Sequence, residues 1–191
     1  GCGRSGDVFK FIEEYQGVSF MEAVQILGER VGIQLAMPIQ SRPQQASPHQ
    51  ALYDMHEEAA RFYHAILMTT KMGEEARAYL YKRGLTDDVL KHFQIGLAPA
   101  ERNYLYQRLA DKFEEKDLLD SGLFYLSDDN QFLDTFFGRI VFPLTNDKGQ
   151  VIAFSGRIWQ ETDNQTAKYK NSRSTAIFNK SYELYHLDKA K

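Results

Sequence analysis

Residues 139–159 decide the fold, and they read RIVFPLTNDKGQVIAFSGRIW. Two segments rich in β-branched and aromatic residues, RIVFPL and QVIAFSGRIW, flank NDKG, which has the composition of a turn. Pro143 predicts that the first strand is an edge strand or carries a bulge, because proline cannot donate to a strand ladder. The same period-two pattern occurs earlier in LFYL and QFLDTF, which are separated by SDDN. This half of the chain therefore predicts an antiparallel sheet.

Helical periodicity precedes the sheet. Apolar residues at intervals of three and four predict one face of a long helix; they are Leu52, Met55, Ala59, Phe62 and Ile66. Residues 74–82 predict a second helix that ends at Gly84, and Thr86 is a suitable N-cap for a third. Residues 103–113 and 115–119 complete the helical run. The predicted fold class is α+β, with a helical subdomain followed by an antiparallel β-sheet.

The start of the chain predicts a separate, smaller unit. GDVFKFIEEYQ has helical spacing, and Ser19 and Glu22 form a capping box for a second helix, so a short helical hairpin is expected. Residues 38–50, PIQSRPQQASPHQ, contain three prolines and four glutamines and predict an extended linker. The predicted organisation is therefore a hairpin in residues 1–37, a linker in 38–50 and a main domain in 51–191.

Composition indicates an ordinary globular protein. Of its 191 residues, 43% are hydrophobic and 26% are charged. The single cysteine, Cys2, excludes an internal disulfide framework, and no apolar run is long enough to span a bilayer. A cytoplasmic setting without a membrane partner is therefore expected. Because the chain begins with glycine and ends in the amphipathic LYHLDKAK, we expect a fragment of a longer protein.

Positive charge concentrates at the end of the chain. Residues 139–191 hold nine Lys/Arg and five Asp/Glu (net +4), whereas the totals of 23 and 26 leave 14 and 21 (net -7) for residues 1–138. Residues 167–180, AKYKNSRSTAIFNK, carry four cations and no acid, on what the composition predicts to be a loop. Tyr169 and Phe178 could stack on bases there or simply pack. The stretch predicts a site for nucleic acid or nucleotide, with a solvated basic loop as the alternative.

No complete catalytic set is visible. The five histidines have no cysteine or carboxylate at metal-ligand spacing, and Cys2 has no second ligand nearby. Asp128 and Asp129 lie in a predicted turn, where aspartate is favoured for backbone reasons. Two non-catalytic functions therefore remain as alternatives to an enzymatic one. One is a module that binds single-stranded DNA or a nucleotide, and the other is a protein-interaction domain that uses the acidic half.

Four blocks of sequence carry a family resemblance. GCGRSGDVFKFIEEYQGVSFMEAVQIL resembles the end of the zinc-binding domain of bacterial replicative primases of the DnaG type. The other three blocks resemble the start of the RNA polymerase domain of the same family. They are YLYKRGLTDDVLKHFQIGLAP, FFGRIVFPLTNDKGQVIAFSGRIW and AKYKNSRSTAIFNKSYELYHL. The resemblance implies an enzyme that makes short RNA primers on single-stranded DNA by nucleotidyl transfer dependent on Mg or Mn. Since the acidic metal ligands would lie beyond Lys191, it implies no catalytic residue here, and the fragment alone is expected to be inactive.

The same resemblance implies a set of binding residues. Cys2 would be a zinc ligand whose partners lie outside the chain, which makes residues 1–37 the remnant of a zinc-binding domain. A basic groove for template and nucleotide would use residues at the family's motif positions, which are Arg83, Arg139, Arg157, Lys168, Asn171 and Lys180. The implied partners are a single-stranded DNA template, ribonucleoside triphosphates and, through a further C-terminal domain, the replicative helicase. The chain departs from its relatives at Thr135 and Phe137, where they often carry basic residues.

Overall fold

The computed structural model describes residues 6–16, 20–31, 49–160 and 167–180. The chain divides into two compact units, residues 1–45 and 46–191. Helices combine with antiparallel sheets, so the predicted α+β class is confirmed. Residues 38–48 of the predicted linker lie outside the described residues, and Gln50 already belongs to a helix. No helix in the described part of the chain has both the length and the apolar character needed to cross a membrane.

The first unit contains the two predicted short helices. Helix α1 spans Val8–Gln16 and helix α2 spans Phe20–Arg30. They pack against each other, burying Ile12 and Ala23, and the rings of Phe9 and Phe20 lie 5.6 Å apart. Ser19 of the predicted capping box lies outside the described residues.

The second unit begins with the long helix. Helix α3 spans Gln50–Thr69, and four residues of its predicted apolar face are buried while Phe62 is half-buried. Helix α4, Glu74–Lys82, is followed by Gly84 with φ +83°, a left-handed conformation that glycine adopts without strain. The next helices are α5 (Asp87–His92), α6 (Tyr104–Leu109) and α7 (Glu115–Asp120). Thr86 caps α5 as predicted, its hydroxyl accepting the Val89 N–H at 3.5 Å.

Six strands in the described residues form two antiparallel sheets. They are β1 (Gly96–Ala98), β2 (Phe124–Leu126), β3 (Phe132–Asp134), β4 (Arg139–Thr145), β5 (Val151–Arg157) and β6 (Tyr169–Asn171). The main sheet has the order β1-β4-β5-β6, and β2 pairs with β3 separately. Pro143 lies beyond the part of β4 that pairs with β1, and the register shifts between Leu144 and Thr145, so the predicted irregularity is present. Strand β6 occupies part of the basic stretch that we predicted to be a loop; that prediction was wrong for Tyr169–Asn171.

Each face of the main sheet covers its own apolar core. Residues opposite each other in an antiparallel pair share a face, and successive residues alternate between faces. Val141 and Phe154 lie on one face, in a core with Tyr63 of α3. Leu97 and Ile140 lie on the other face, in a core with Leu80 and Leu90 of α4 and α5. We call these the α3 face and the α4 face.

Candidate nucleic-acid interface

The candidate interface is built on β6, the outer strand of the main sheet among the described strands. Its register against β5 places Tyr169 opposite Arg157 and Lys170 opposite Gly156. By strand alternation, Tyr169 and Arg157 therefore lie on the α4 face, and Lys170 lies on the α3 face. The buried Ser172 fixes the end of β6, because its hydroxyl and amide bond to the Phe154 amide and carbonyl, both at 2.9 Å. The Ser172 hydroxyl is thus engaged in the fold and does not serve as a free phosphate ligand.

On the α4 face, Arg157 and Tyr169 form a pair. The Arg157 Nη1 donates to the Tyr169 hydroxyl at 2.7 Å, and the guanidinium carbon lies 5.3 Å from the centre of the ring. Tyr169 remains 54% exposed, so its ring is open to a ligand. The arrangement combines a positive charge with an exposed aromatic surface, as single-stranded nucleic-acid sites do.

Arg83 belongs to a second cation–aromatic pair. The Arg83 guanidinium lies 4.9 Å from the centre of the Tyr79 ring, which in turn lies 6.3 Å from the Trp159 ring. Trp159 follows Arg157 by two residues and packs on the core of the α4 face, which is the face of the sheet that carries Arg157. The indole N–H of Trp159 and the Arg157 Nε are buried without a hydrogen-bond partner among the described residues.

Arg139 has a different environment from the one that the resemblance implies. Its side chain is buried, and the residue is only 6% exposed. Its Nη1 donates to the carbonyls of Gly156 at 3.4 Å and Lys168 at 3.3 Å, and its Nη2 donates to the carbonyl of Ala167 at 3.0 Å. Burial lowers the pKa of Arg139. These bonds join the end of β5 to the start of β6, so the guanidinium holds the backbone that carries Lys168.

The remaining sequence-predicted residues lie at the surface. Lys168, Asn171 and Lys180 are all exposed, and the Lys168 carbonyl also accepts the Ile158 N–H at 3.0 Å. Phe178 is 5% exposed and packs in a small core with Ile152, so it is a packing residue and not a base-stacking one. Ile177 N–H donates to the Thr175 hydroxyl at 3.3 Å, which stabilises the turn before Phe178.

A second group of cations lies on the α3 face. The Lys170 Nζ is 5.8 Å from the centre of the Tyr125 ring, and the Arg102 guanidinium lies 4.6 Å from the centre of the Phe137 ring. Burial lowers the pKa of Lys170, and the positive charges of Arg139 and Arg102 lower it further. Sequence reasoning missed Arg102 because it precedes the basic stretch by more than sixty residues. Its only signal was its position beside a predicted helix start.

The described residues do not provide a metal site. No group of three or more His, Cys, Asp or Glu side chains among them is arranged to hold an ion. Cys2 lies outside the described residues. His56 is buried, and burial lowers its pKa to about 4. The hydrogen bond between its Nδ1 and the Leu52 carbonyl, 2.8 Å long, raises the pKa and offsets only part of this effect. Asp128 and Asp129 are exposed in the turn between β2 and β3, as predicted.

Two family models match the chain. Residues 62–191 match the family model described as the DNA primase catalytic core, N-terminal domain. Residues 1–43 match the model described as the CHC2 zinc finger, which supports zinc as an ion of this region.

The proteins and solved structures that this chain is similar to are named as primases. The DNA primase of Lactococcus lactis is 49% identical over 191 residues, which is all of this chain and 30% of that protein. A structure of the DnaG primase catalytic domain bound to ssDNA is 36% identical, with a TM-score of 0.67 over 74% of this chain and 43% of that one. The Aquifex aeolicus primase, with its zinc binding and RNA polymerase domains, is 28% identical, with a TM-score of 0.66 over 98% of this chain and 44% of that one.

This chain therefore spans about a third of the length of the curated relatives it matches. The match to the catalytic-core model covers more than half of its residues, including both strands that carry the candidate interface. The chain belongs to the family of the DNA primase catalytic core, N-terminal domain.

Proposed function

We propose that the chain is part of a bacterial DNA primase and holds the single-stranded template and incoming ribonucleoside triphosphates during primer synthesis. The observation that carries the proposal is the Arg157–Tyr169 pair on the outer strand. A second cation–aromatic pair, Arg83 with Tyr79, lies next to Trp159 and adds to it. A relative of 36% identity has been solved with ssDNA, which supports a single-stranded ligand for this chain as well.

The side chains divide into those that touch the ligand and one that acts through the backbone. Arg83, Arg157, Lys168 and Lys180 place their charges on phosphate oxygens, and Asn171 adds a neutral hydrogen bond. Arg139 positions the turn from β5 to β6, because its donors are occupied by backbone carbonyls. These residues bind and orient the ligand; none of them removes a proton from the attacking hydroxyl.

The metal chemistry belongs to the whole protein. When bound, Mg or Mn would supply charge stabilisation at the phosphate that is transferred. We place the carboxylates that hold that ion beyond Lys191. Within residues 1–37, a zinc-domain remnant, Cys2 would be one zinc ligand, and the CHC2 match over residues 1–43 supports this assignment. Residues 38–50 link this remnant to the polymerase part in 51–191.

The remaining partners follow from the same proposal. The whole protein would act in the bacterial cytoplasm, at the nucleoid, and would contact the replicative helicase through a further C-terminal domain. The match to bacterial primases three times the length of this chain supports these assignments.

Salt dependence of DNA binding tests the proposal. Replacing Lys168 and Lys180 by alanine should weaken binding of an oligothymidylate by the 191-residue chain about tenfold. It should also make the slope of log K against log salt shallower by about 1.4, since each lost phosphate contact contributes about 0.7. The measurement is fluorescence anisotropy across a salt series.

The control is a second double variant, Lys71→Ala with Lys148→Ala, which removes the same charge from two exposed sites, one in a short 3₁₀ helix and one in the turn between β4 and β5. It should bind like the unmodified chain. Equal binding by all three proteins, or no binding by any, would contradict the proposal that this stretch contacts the template.

A further inference from the structure

We propose that Lys170 and Arg102, with the ring of Tyr125, form a second phosphate-binding position on the α3 face, opposite the Arg157–Tyr169 pair. This inference rests on the proposed function for the nature of its ligand, which is a nucleic-acid strand. It adds two cations that lie outside the motif positions, one of them contributed by the loop before α6.

The position of Lys170 follows from the register of β6. Lys170 lies opposite Gly156, which has no side chain. A Cβ atom at Gly156 would lie 2.7 Å from the Phe136 ring and 3.1 Å from the Arg139 Cδ, so these two side chains fill the space beside the glycine. Lys170 and Arg139 are therefore neighbours across Gly156, on the side of the sheet away from Arg157.

The backbone of Arg102 is held in place by the β3 strand. The Arg102 carbonyl accepts the Asp134 N–H at 2.5 Å, and the Gly138 N–H donates to the Pro99 carbonyl at 2.7 Å. The Asp134 carboxylate accepts the amides of Leu105 at 2.8 Å and Tyr106 at 3.0 Å at the start of α6. This carboxylate is thus directed at backbone amides, and no ion pair between it and Arg102 is present.

Within the part of the chain that the structure describes, no ion pair neutralises the three cations. Among the described residues, neither Lys170 nor Arg102 forms a salt bridge, and the Arg139 guanidinium bonds only to neutral carbonyls. Like charges that gather in a partly buried place repel each other, and here that repulsion lowers the pKa of Lys170 after the effect of burial. A bound anion relieves the repulsion, which makes the position complementary to phosphate.

The two faces of β6 favour a strand over a single nucleotide. Tyr169 and Lys170 are consecutive residues and point to opposite faces, so one phosphate cannot contact both. A strand that passes over the outer edge of the sheet presents successive phosphates and reaches both positions. Tyr125 is 37% exposed, which leaves an aromatic surface for a base beside Lys170.

The test compares Lys170→Met, which keeps the length of the side chain and removes its charge, with Lys148→Met as the matched control. The probe is a fluorescent oligothymidylate of about 12 nucleotides, within the range of known single-strand site sizes. In the whole 191-residue chain, Lys170→Met should weaken binding about fivefold and reduce the salt slope by about 0.7. Lys170→Arg and Lys148→Met should bind as the unmodified chain does, and ATP binding should stay within about twofold in every variant.

Other results would overturn the inference. Unchanged oligothymidylate binding by Lys170→Met contradicts it, and an equal loss of ATP and oligothymidylate binding assigns the position to a free triphosphate. Arg102→Gln, at an exposed site, must show the same selective loss, so a folding defect in one variant does not leave the question open. If the Lys168 and Lys180 variant weakens binding while these two do not, the proposed function stands and this inference fails. If the unmodified chain does not bind the probe, both fail.

Discussion

The two faces of β6 carry positive charge in different ways. On the α4 face, Arg157 is paired with the tyrosine directly opposite it, so two residues joined by strand register form the contact. On the α3 face, Lys170 and Arg139 are neighbours across Gly156, and the positive charge of Arg102, from the loop before α6, lowers the pKa of Lys170. In the described part of the chain, none of these three cations forms a salt bridge. The comparison shows that one outer strand can present a local pair and an assembled cluster at once. Neither could be anticipated from the sequence, because the pair depends on the register of β6 against β5 and the cluster also needs the loop before α6.

The largest expected effect is on stability and comes from Arg139, whose hydrogen bonds hold the backbone between β5 and β6. Arg139→Ala removes three hydrogen bonds to backbone carbonyls and leaves those carbonyls partly buried. The free energy of unfolding should fall by about 3–5 kcal/mol, because hydrogen bonds to charged groups are strong and unpaired buried groups are costly. Urea denaturation measures the change. Arg139→Lys should recover only part of it, because one ammonium group cannot replace the geometry of the guanidinium. A fully stable Arg139→Ala protein that fails only to bind oligothymidylate would show that Arg139 contacts the ligand directly.

A second prediction concerns two buried groups behind the α3 face. Burial raises the pKa of Asp134 to about 6 and lowers that of His56 to about 4. The stability contributed by Asp134 is present below about pH 4 and is lost as the pH rises through 6. The contribution of His56 has the opposite sign, since it is present above about pH 6.5 and is lost as the pH falls to 4.

Because these effects oppose each other, the unmodified chain should show little change in unfolding free energy between pH 4 and 6.5. Asp134→Asn removes the first effect, so the stability of that variant should rise by about 3 kcal/mol over the same range, as the fall in the pKa of His56 from 6.5 to about 4 implies. Urea denaturation at several pH values is the measurement. A flat profile for Asp134→Asn would show that His56 is not held neutral by burial.

The smallest effect is expected from a variant that tests the Arg157–Tyr169 pair alone. Tyr169→Phe removes the 2.7 Å hydrogen bond to Arg157 but keeps the ring. Because Tyr169 is exposed, stability should change by less than about 0.5 kcal/mol. Oligothymidylate binding should weaken about twofold, since Arg157 loses its orientation, whereas Tyr169→Ala should weaken it more by removing the stacking surface. Equal binding by Tyr169→Phe and Tyr169→Ala would assign the contact to the hydroxyl alone and remove the ring from the interface.

Much of the fold could be predicted because its signals are local. The repeat of Leu52, Met55, Ala59, Phe62 and Ile66 is long enough to predict α3, and the alternation around NDKG predicts the pairing of β4 with β5. Strands β1 and β6 were not predicted. Each has three residues, and neither is joined by a short turn to another predicted strand, as β2 is joined to β3 by SDDN. Both exist because a longer neighbouring strand supplies their hydrogen-bond partners.

The candidate site divides in the same way. Arg83, Arg157, Lys168, Asn171 and Lys180 were chosen from residue type and family resemblance, and the structure places all of them at or near the surface of the second unit. The burial of Arg139 and Phe178 was not foreseen, because a sequence lists charges and rings without showing which carbonyls or apolar side chains surround them. Within the Lys170–Arg102 cluster, Lys170 belongs to the basic stretch that predicted a ligand site. Arg102 lies more than sixty residues earlier, so the sequence does not connect it with that stretch.

The amino-acid sequence by itself determined the helices, the central strand pair, the basic character of the final segment and the family to which the chain belongs. Each of these depends on residue type and short spacing. Tertiary structure decided which cations face a ligand, which hold the backbone and which share a face of the sheet. The physical reason is that strand register and burial set the distance between charges, and those distances are fixed only when β6 pairs with β5.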